Sequence, residues 1–380
     1  MFSQAHPSLV NLPLSPIFVY GTVRATRERD PVRIFLLLLT TCECVTPIVR
    51  PALTSPSQAA PLADEVQRGV CLAHSWENGG EHGYGSATSS GTLDELKELG
   101  VQWISLTPFG FMNSLQSESV EHVGERSGGE RDERVRAEIQ AARDRGIQTL
   151  LKPHIWVGRG EWRAELAPSD WLAWFRSYRE WILIYARIAE EESVPILAIG
   201  TELRSSAHHA DEWRALIDDI RGVYSGELTY CANWDSVDAV SFWDAVDYIG
   251  VQFYPPLASN PDASAEEMGV QLRGHLERLE LVSERVERPV LLTEVGYKAT
   301  RDTAVRPYEW TERSASPVDE AAQALAYEVL FHEVADQPWI RGLYIWKWFT
   351  NPDTHEEGPR GFSPRGNPAE VILRRAFRRR

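Results

Sequence analysis

Ile196-Leu197-Ala198-Ile199-Gly200-Thr201-Glu202 is the stretch that decides the fold, an apolar run that ends on a carboxylate. A segment of helical pattern, residues 210–224, follows it and repeats large apolar side chains at the spacing of one helix face: Trp213, Ile217 and Ile220. A short buried strand followed by an amphipathic helix is the unit from which parallel sheets are built. The same alternation continues on both sides of this unit from about residue 66 onward.

Eight apolar runs of this kind can be counted, and they lie at residues 69–74, 101–107, 147–154, 196–202, 228–233, 248–254, 290–294 and 343–348. Segments of helical pattern separate them, for example residues 131–145 and 169–191, and a long loop through residues 109–112 follows the second run. Eight strand-helix units predict a closed sheet rather than an open one. We therefore expect an α/β fold of the (β/α)8 TIM-barrel type.

Residues 1–62 have a different composition, rich in Pro, Ser, Thr and Ala, and sustain neither a helical nor a strand period. We predict that they form a disordered or cleaved N-terminal extension and that residues 63–380 form one barrel domain. The chain has 380 residues, enough for one barrel of about 250 residues and such an extension.

The extension contains a signal-like segment, in which Arg33 precedes the apolar run 34–39 and Cys42 follows. The run is too short to span a bilayer, which needs about 20 apolar residues, but is adequate as the core of a secretory signal. Leu39-Thr40-Thr41-Cys42 also resembles a bacterial lipoprotein cleavage site, which would make Cys42 a lipid anchor. We predict an exported protein, periplasmic, secreted or on the cell surface, whose true start lies near Val32.

The net charge of the chain indicates which kinds of ligand it can bind. With 39 basic and 55 acidic residues the net charge is −16, which repels phosphate backbones, so nucleic acid is not an expected partner. Fourteen tryptophans offer flat faces on which sugar rings can stack, although for any one Trp core packing is the first interpretation. We expect a monomer that binds a neutral or cationic ligand.

Four cysteines, Cys42, Cys44, Cys71 and Cys231, have no zinc-site spacing. A disulfide between Cys71 and Cys231 is geometrically allowed if both lie on barrel strands, but two free buried thiols are the favoured interpretation. A metal-dependent hydrolase would need clustered His and Asp ligands, whereas His74 stands alone on its strand. We therefore predict no metal and no cofactor.

Polar residues fall where the runs end, and the loops of a barrel converge there on one mouth. Glu202 and Glu294 each end an otherwise apolar run, and burying a carboxylate that is neither paired nor used costs several kcal/mol. Two carboxylates across a pocket suit glycosidic cleavage, since one protonates the leaving oxygen and the other acts at the anomeric carbon. A separation of about 5 Å gives retention, and about 6.5–9.5 Å gives inversion.

These residues resemble the retaining barrel glycosidases of clan A, and more narrowly glycoside hydrolase family 113, in which β-mannanase activity is known. The segments that carry the resemblance are Lys152-Pro153-His154-Ile155-Trp156, Ile199-Gly200-Thr201-Glu202-Leu203, Gln252-Phe253-Tyr254-Pro255 and Leu292-Thr293-Glu294-Val295-Gly296-Tyr297. The resemblance covers about residues 66 to 376. It implies that Glu202 is the acid/base, that Glu294 is the nucleophile, and that the substrate is a β-linked oligo- or polysaccharide such as β-mannan.

Six further residues are predicted to bind substrate: His154, Trp156, Asn233, Trp234, Tyr254 and Trp346. Tyr254 is also a natural hydrogen-bond donor to Glu294, and an apolar wall or the charge of Glu294 should raise the pKa of Glu202. Packing or structural hydrogen bonding is the alternative for each. Thr201 departs from the clan, which has an Asn there that reads the sugar 2-hydroxyl, so the sugar identity stays open. The other function class is a surface carbohydrate-binding barrel that has lost catalysis.

Overall fold

The structure is a computed structural model that describes residues 61–122, 130–310 and 315–378. The signal-like segment and Cys42 lie outside the described residues, so export and the lipid anchor stay predictions. The described chain begins against its own C-terminal part, because Leu62 N donates a hydrogen bond of 3.0 Å to the carbonyl oxygen of Ala376. No helix in the described part of the chain is long and apolar enough to cross a membrane.

Eleven strands are present in the described residues: β1 (Gln67–Ala73), β2 (Trp103–Leu106), β3 (Phe109–Met112), β4 (Glu121–His122), β5 (Gln148–Leu151), β6 (His154–Val157), β7 (Ile196–Thr201), β8 (Glu227–Asn233), β9 (Tyr248–Gln252), β10 (Val290–Val295) and β11 (Ile340–Phe349). Eight of them close into a parallel barrel in the order β1-β11-β10-β9-β8-β7-β5-β2. Apart from β1 beside β11, which closes the ring, every barrel strand pairs with its neighbours in chain order. The predicted (β/α)8 barrel is confirmed.

The described residues contain seven α-helices, of which the first six connect strands and the last follows β11: α1 (Ala87–Leu99), α2 (Asp132–Asp144), α3 (Trp171–Glu191), α4 (Ala210–Arg221), α5 (Ala265–Val286), α6 (Glu320–Val334) and α7 (Pro368–Ala376). The connection from β8 to β9 has none, so the expected strand-helix alternation is wrong at this one point. Two short 3-10 turns, Val237–Ala239 and Trp243–Ala245, stand there instead. Buried Phe242 and Trp243 belong to this connection and pack into the hydrophobic core.

A small second sheet, in the order β4-β3-β6, accompanies the barrel. Residues 109–112, expected to be loop, form β3, and the third predicted run divides into β5 and β6. The division falls at Pro153, which has no N–H to donate to a strand ladder. In this sheet β3 runs parallel to β6, with Phe109 opposite His154 and Phe111 opposite Trp156. His154 and Trp156 therefore belong to a sheet separate from the barrel.

The core has two layers. One cluster, formed by most of the buried apolar residues, packs strands against helices. A second cluster includes residues from six of the barrel strands: Cys71, Leu150, Ile196, Ala198, Cys231, Leu291, Tyr344 and Trp346. Side chains fill the inside of an eight-stranded barrel, so this interior is a packed core rather than a pore. Cys71 and Cys231 are free and buried here, which confirms the favoured interpretation of two thiols.

Candidate active site

Glu202 and Glu294 lie at the carboxyl ends of barrel strands, the edge at which barrel enzymes place their chemistry. Glu202 follows the last residue of β7, and Glu294 is the penultimate residue of β10. The backbone of Glu202 has φ of 56°, and its N–H donates to the carbonyl oxygen of Cys231 at 2.8 Å. A left-handed conformation costs a non-glycine residue about 1–2 kcal/mol, and such residues collect at functional sites.

The carboxylate of Glu294 is buried and receives hydrogen bonds on both oxygens. Lys152 Nζ donates to Oε1, and Tyr254 Oη donates to Oε2 at 2.9 Å. His154 Nε2 lies 3.6 Å from Oε1, which is too long for a hydrogen bond. Burial, together with the charge of Glu294, raises the pKa of Tyr254 well above its ordinary value, so its hydroxyl keeps the proton that it donates. Each carboxylate oxygen of Glu294 therefore has its own hydrogen-bond donor.

Lys152 contacts Glu294 in the candidate site, and sequence reasoning assigned it no role. Its side chain is fully buried, and Nζ also donates to the carbonyl oxygen of Thr293 at 3.1 Å and lies 3.8 Å from Cys71 Sγ. Burial disfavours the ammonium, but the neighbouring thiols and Glu294 outweigh burial and raise the pKa of Lys152 above its ordinary value. The sequence did hold a signal, because a lysine directly after an apolar strand must either reach water or have a partner.

The carboxyl group of Glu202 is held differently. Its side chain is 16% exposed, and Arg163 Nη2 lies 2.8 Å from its Oε2. Trp162 also donates a side-chain hydrogen bond to it. Burial raises the pKa of Glu202 and the charge of Glu294 raises it further, while Arg163, Lys152 and Trp162 act in the opposite direction. The net direction is upward, so Glu202 keeps its proton to a higher pH than an exposed carboxyl group.

Arg163 links several parts of the site, and no sequence pattern pointed to it. It begins a 3-10 turn, Arg163–Glu165, after β6. Besides its ion pair with Glu202, its Nε donates to the carbonyl oxygen of Thr201 at 3.2 Å, and its Nη2 donates to His154 Nδ1 at 3.3 Å. The guanidinium thus holds the end of β7 and the start of β6 together.

His154 lies close to Glu294 and also contacts Arg163, the ion-pair partner of Glu202. Burial and the nearby charges of Arg163 and Lys152 hold its pKa well below the ordinary value, so the ring is neutral. Because Nδ1 accepts from Arg163, the proton of the neutral ring is on Nε2. That nitrogen has no hydrogen-bond partner among the described residues, and it lies 3.6 Å from Glu294 Oε1.

The other predicted substrate-binding residues fall into two groups. Trp346 is 8% exposed, and its ring centre lies 5.7 Å from Lys152 Nζ, so it belongs to the immediate surroundings of Glu294. Trp156 is 48% exposed and contacts Phe109 edge-on, with ring centroids 6.0 Å apart. Trp346 therefore lines the interior of the site, whereas Trp156 presents a free face to solvent.

Asn233 and Trp234 end β8 in different settings. Asn233 is buried, and its Nδ2 has no partner among the described residues. Trp234 packs against the hydrophobic core and contacts His275 on α5 edge-on, with ring centroids 5.5 Å apart. Asn233 therefore keeps a free donor near the site, while the contacts of Trp234 are those of packing.

His74, which directly follows β1, has structural contacts. It is buried, its Nδ1 accepts a hydrogen bond of 3.0 Å from Tyr84 N, and burial lowers its pKa to about 3. Across the described ranges, no group of three or more His, Cys, Asp or Glu residues is arranged to hold a metal ion.

Comparison with known proteins gives the family and the fold. The model of Glycoside Hydrolase Family 113 matches residues 74–362. The GH113 β-mannanase from Alicyclobacillus acidocaldarius, solved in complex with ManMIm, is 26% identical and aligns over 82% of this chain and 97% of that chain, with a TM-score of 0.73. A second GH113 β-1,4-mannanase, 23% identical over 83% and 99% of the two chains, has the same fold with a TM-score of 0.74.

A Glycoside Hydrolase Family 5 mannosidase from Rhizomucor miehei shares only the fold, with 10% identity over 84% and 97% of the two chains and a TM-score of 0.56. No curated protein matches the sequence. The family match extends over most of the chain and includes the ends of β7 and β10, where the two glutamates lie. The chain therefore belongs to Glycoside Hydrolase Family 113, and it is a glycoside hydrolase of clan A.

Proposed function

We propose that the protein hydrolyses β-glycosidic bonds with retention of configuration, with Glu202 as general acid/base and Glu294 as nucleophile. The observation that carries the proposal is the difference between the two carboxyl groups. Glu294 receives hydrogen bonds from Lys152 and Tyr254, which suits a nucleophile that must be ionised. Glu202 is largely buried with a raised pKa, which suits a group that must deliver a proton.

Each group has one task in the first step. The Glu294 carboxylate attacks the anomeric carbon while Glu202 transfers its proton to the glycosidic oxygen. The bond between that oxygen and the anomeric carbon breaks, the leaving sugar departs as an alcohol, and the remaining sugar is an ester of Glu294. Glu202 ends this step as a carboxylate.

The second step reverses the roles. Glu202 removes a proton from water, the water oxygen attacks the anomeric carbon, and the ester bond to Glu294 breaks. Both side chains return to their starting protonation states. Two inversions at the anomeric carbon give net retention.

We propose β-mannan and related β-linked oligo- or polysaccharides as the substrate class. The support is similarity, because the relative from Alicyclobacillus acidocaldarius with 26% identity is named a β-mannanase. The contacts described above favour Trp346 as the floor for the cleaved sugar, Trp156 as an outer platform, and His154 Nε2 and Asn233 Nδ2 as free hydrogen-bond donors to sugar hydroxyls.

The decisive experiment measures product configuration. The purified protein would be assayed on aryl β-mannoside, aryl β-glucoside and a panel of β-mannans and β-glucans, with the anomer formed first identified by NMR. We expect the β anomer to appear first. Glu294→Ala should lose turnover and form an α-glycosyl azide when azide is added. An inverted product, or full activity in Glu294→Ala, would contradict the proposal.

The second candidate is a carbohydrate-binding barrel without catalysis. It would be favoured if the wild-type protein bound mannan but hydrolysed no substrate of the panel. The presence of both glutamates, each with its own set of partners, argues against it. We further propose that the protein acts outside the cytoplasm as a monomer. Mass spectrometry of the mature N-terminus would test export, and a peptide covering residues 2–24 would argue against it.

A further inference from the structure

The positive charge of Arg163 lies in direct contact with Glu202, which has to act as an acid in the first step. Its Nη2 lies 2.8 Å from Glu202 Oε2, and only 16% of either side chain is exposed. Charge-assisted hydrogen bonds of this length favour the ionised carboxylate. The first step needs the protonated form, so on its own this contact works against that step.

The second step has the opposite need. In the glycosyl-enzyme Glu294 is an ester and has lost its negative charge, and Glu202 must be a carboxylate to accept a proton from water. Burial disfavours that carboxylate. A guanidinium in contact with Glu202 offsets the cost of burial at the stage when an ionised group is required.

The remaining contacts of Arg163 fix where its charge lies. Nε donates to the Thr201 carbonyl oxygen at 3.2 Å, and Nη2 also contacts His154 Nδ1 at 3.3 Å. These bonds hold the guanidinium at the carboxyl end of β7, beside the left-handed backbone of Glu202. The contact is therefore a fixed part of the site.

We infer that Arg163 is a positioning residue that orients the Glu202 carboxyl group and supplies the positive charge for the deglycosylation step. This inference rests on the proposed function, in which Glu202 is acid/base. The charged and titratable groups that interact with Glu202 come from the turn after β6, from the segments after β5 and β9, and from strands β8 and β10. They are Arg163, Lys152, Tyr230, Tyr254 and Glu294, and the neutral ring of His154 lies beside Arg163.

The test compares pH profiles of wild type and Arg163→Met, which removes the charge and keeps the length of the side chain. With a mannooligosaccharide, whose leaving group needs a proton, kcat/KM falls at alkaline pH as Glu202 ionises. With a dinitrophenyl β-mannoside, kcat is limited by deglycosylation and falls at acidic pH as the base is protonated. The alkaline decline in the first assay and the acidic decline in the second are the two limbs compared. We expect both limbs to move upward by about one pH unit in Arg163→Met, because a neighbouring cation favours the carboxylate in both forms of the enzyme.

Two variants serve as comparisons. Arg163→Lys keeps the charge but cannot span both Thr201 and His154, so its limbs should stay near the wild-type positions while kcat falls several-fold. Arg159→Met removes an exposed cation from the same segment, and both its limbs and its rates should match the wild type. If Arg163→Met does not fold, Arg163→Gln, which keeps a planar donor without the charge, carries the same comparison.

The inference is overturned if the Met and Gln variants lose rate while both limbs stay in the wild-type positions, or if Arg163→Lys moves the limbs as far as Arg163→Met does. Failure of the proposed function would look different. In that case the wild type would show no glycosidase activity, or Glu202→Gln would hydrolyse mannooligosaccharides as fast as the wild type.

Discussion

The ammonium group of Lys152 is fully buried and donates a hydrogen bond to the carboxylate of Glu294. The two residues are 142 positions apart in the chain and come from β10 and from the segment that follows β5. Nζ also donates to the Thr293 carbonyl oxygen, so both the backbone of β10 and the Glu294 side chain hold the ammonium in place. The pair lies beside the packed barrel interior, where neither charge is stable alone.

Replacing Lys152 by Met should therefore reduce stability as well as activity. Removing one partner of a buried ion pair costs about 3–5 kcal/mol, because the remaining charge loses its counter-charge. We expect urea unfolding at neutral pH to show a loss of this size and kcat/KM to fall at least about 100-fold. The double variant Lys152→Met with Glu294→Gln carries neither charge and should regain much of the stability while staying inactive. Additive losses in the double variant would contradict the pairing.

Tyr254→Phe should lower kcat without unfolding the protein. It deletes the hydrogen bond of 2.9 Å to Glu294 Oε2, and a hydrogen bond to a charged group contributes about 1.5–3 kcal/mol. The expected loss in kcat/KM is about 10- to 100-fold on every substrate. Tyr297→Phe is the matched control, since the Tyr297 hydroxyl is buried and has no hydrogen-bond partner in the described structure. Equal losses in the two variants would show that the ring environment, rather than the hydrogen bond, matters.

The raised pKa of Glu202 predicts a pH dependence that differs between substrates. Burial favours its protonated form, so acid catalysis should persist above the ordinary range of a carboxyl group and decline as pH rises through the raised pKa. Mannooligosaccharides should show this alkaline decline in kcat/KM. Dinitrophenyl glycosides should lack it, because their leaving group needs no proton. The assignment of Glu202 as acid fails if both substrates show the same alkaline limb, or if Glu202→Gln retains it.

Glu130 offers a pH dependence of stability outside the active site. Burial raises its pKa to about 8, while the hydrogen bond of 3.0 Å from Phe109 N to Oε2 opposes the shift. A carboxyl group with a raised pKa stays protonated in the folded chain while the unfolded chain ionises, so folding loses stability as pH rises from about 4.5 to about 8. Glu130→Gln should match wild type near the lower pH and become more stable than wild type by a few kcal/mol near the upper one. The control is Glu133→Gln at an exposed position, whose free energy of unfolding should differ from that of the wild type by the same amount at every pH. The same constant difference in Glu130→Gln would contradict the raised pKa of Glu130.

Trp156→Ala should affect polymer binding alone. The ring is half exposed, so its loss should change the free energy of unfolding by less than about 0.5 kcal/mol. We expect KM for soluble mannan to rise several-fold while kcat/KM for an aryl β-mannoside is unchanged, since the small substrate does not reach an outer platform. Leu172→Ala, which removes an exposed apolar side chain from α3, is the control. A similar rise in KM for the aryl substrate would place Trp156 next to the cleaved bond instead.

The two glutamates could be located from the sequence because each ends a strand whose apolar pattern is local. The order of the strands then determined that both lie at one mouth. Lys152 and Arg163 could not be assigned in the same way, since their partners lie 142 and 39 positions further along the chain and are reached only after the barrel closes. Pattern alone also could not separate β5 from β6, although Pro153 marked the point where the ladder must stop.

The sequence pattern also could not predict that no helix connects β8 to β9, for a different reason. Residues 234–247 contain large apolar side chains, but Phe242 and Trp243 pack from irregular turns. Two large aromatic side chains bury a large apolar surface even in a short connection, so no helix is needed to cover the barrel there. The composition of a connection can thus indicate that it is buried without indicating its secondary structure.

The three-stranded sheet of β3, β4 and β6 lies outside the ring of barrel strands. The barrel holds Glu202, Glu294 and Lys152 at or near its strand ends, whereas Trp156 stands on a strand that contributes nothing to barrel closure. A change in the β3–β4 connection or in the exposed positions of β6 leaves the barrel hydrogen bonds intact. Exposed positions of β6 such as Trp156 can therefore be varied to alter binding of the proposed polymer, provided that His154 at the start of the same strand is kept, because His154 contacts Arg163.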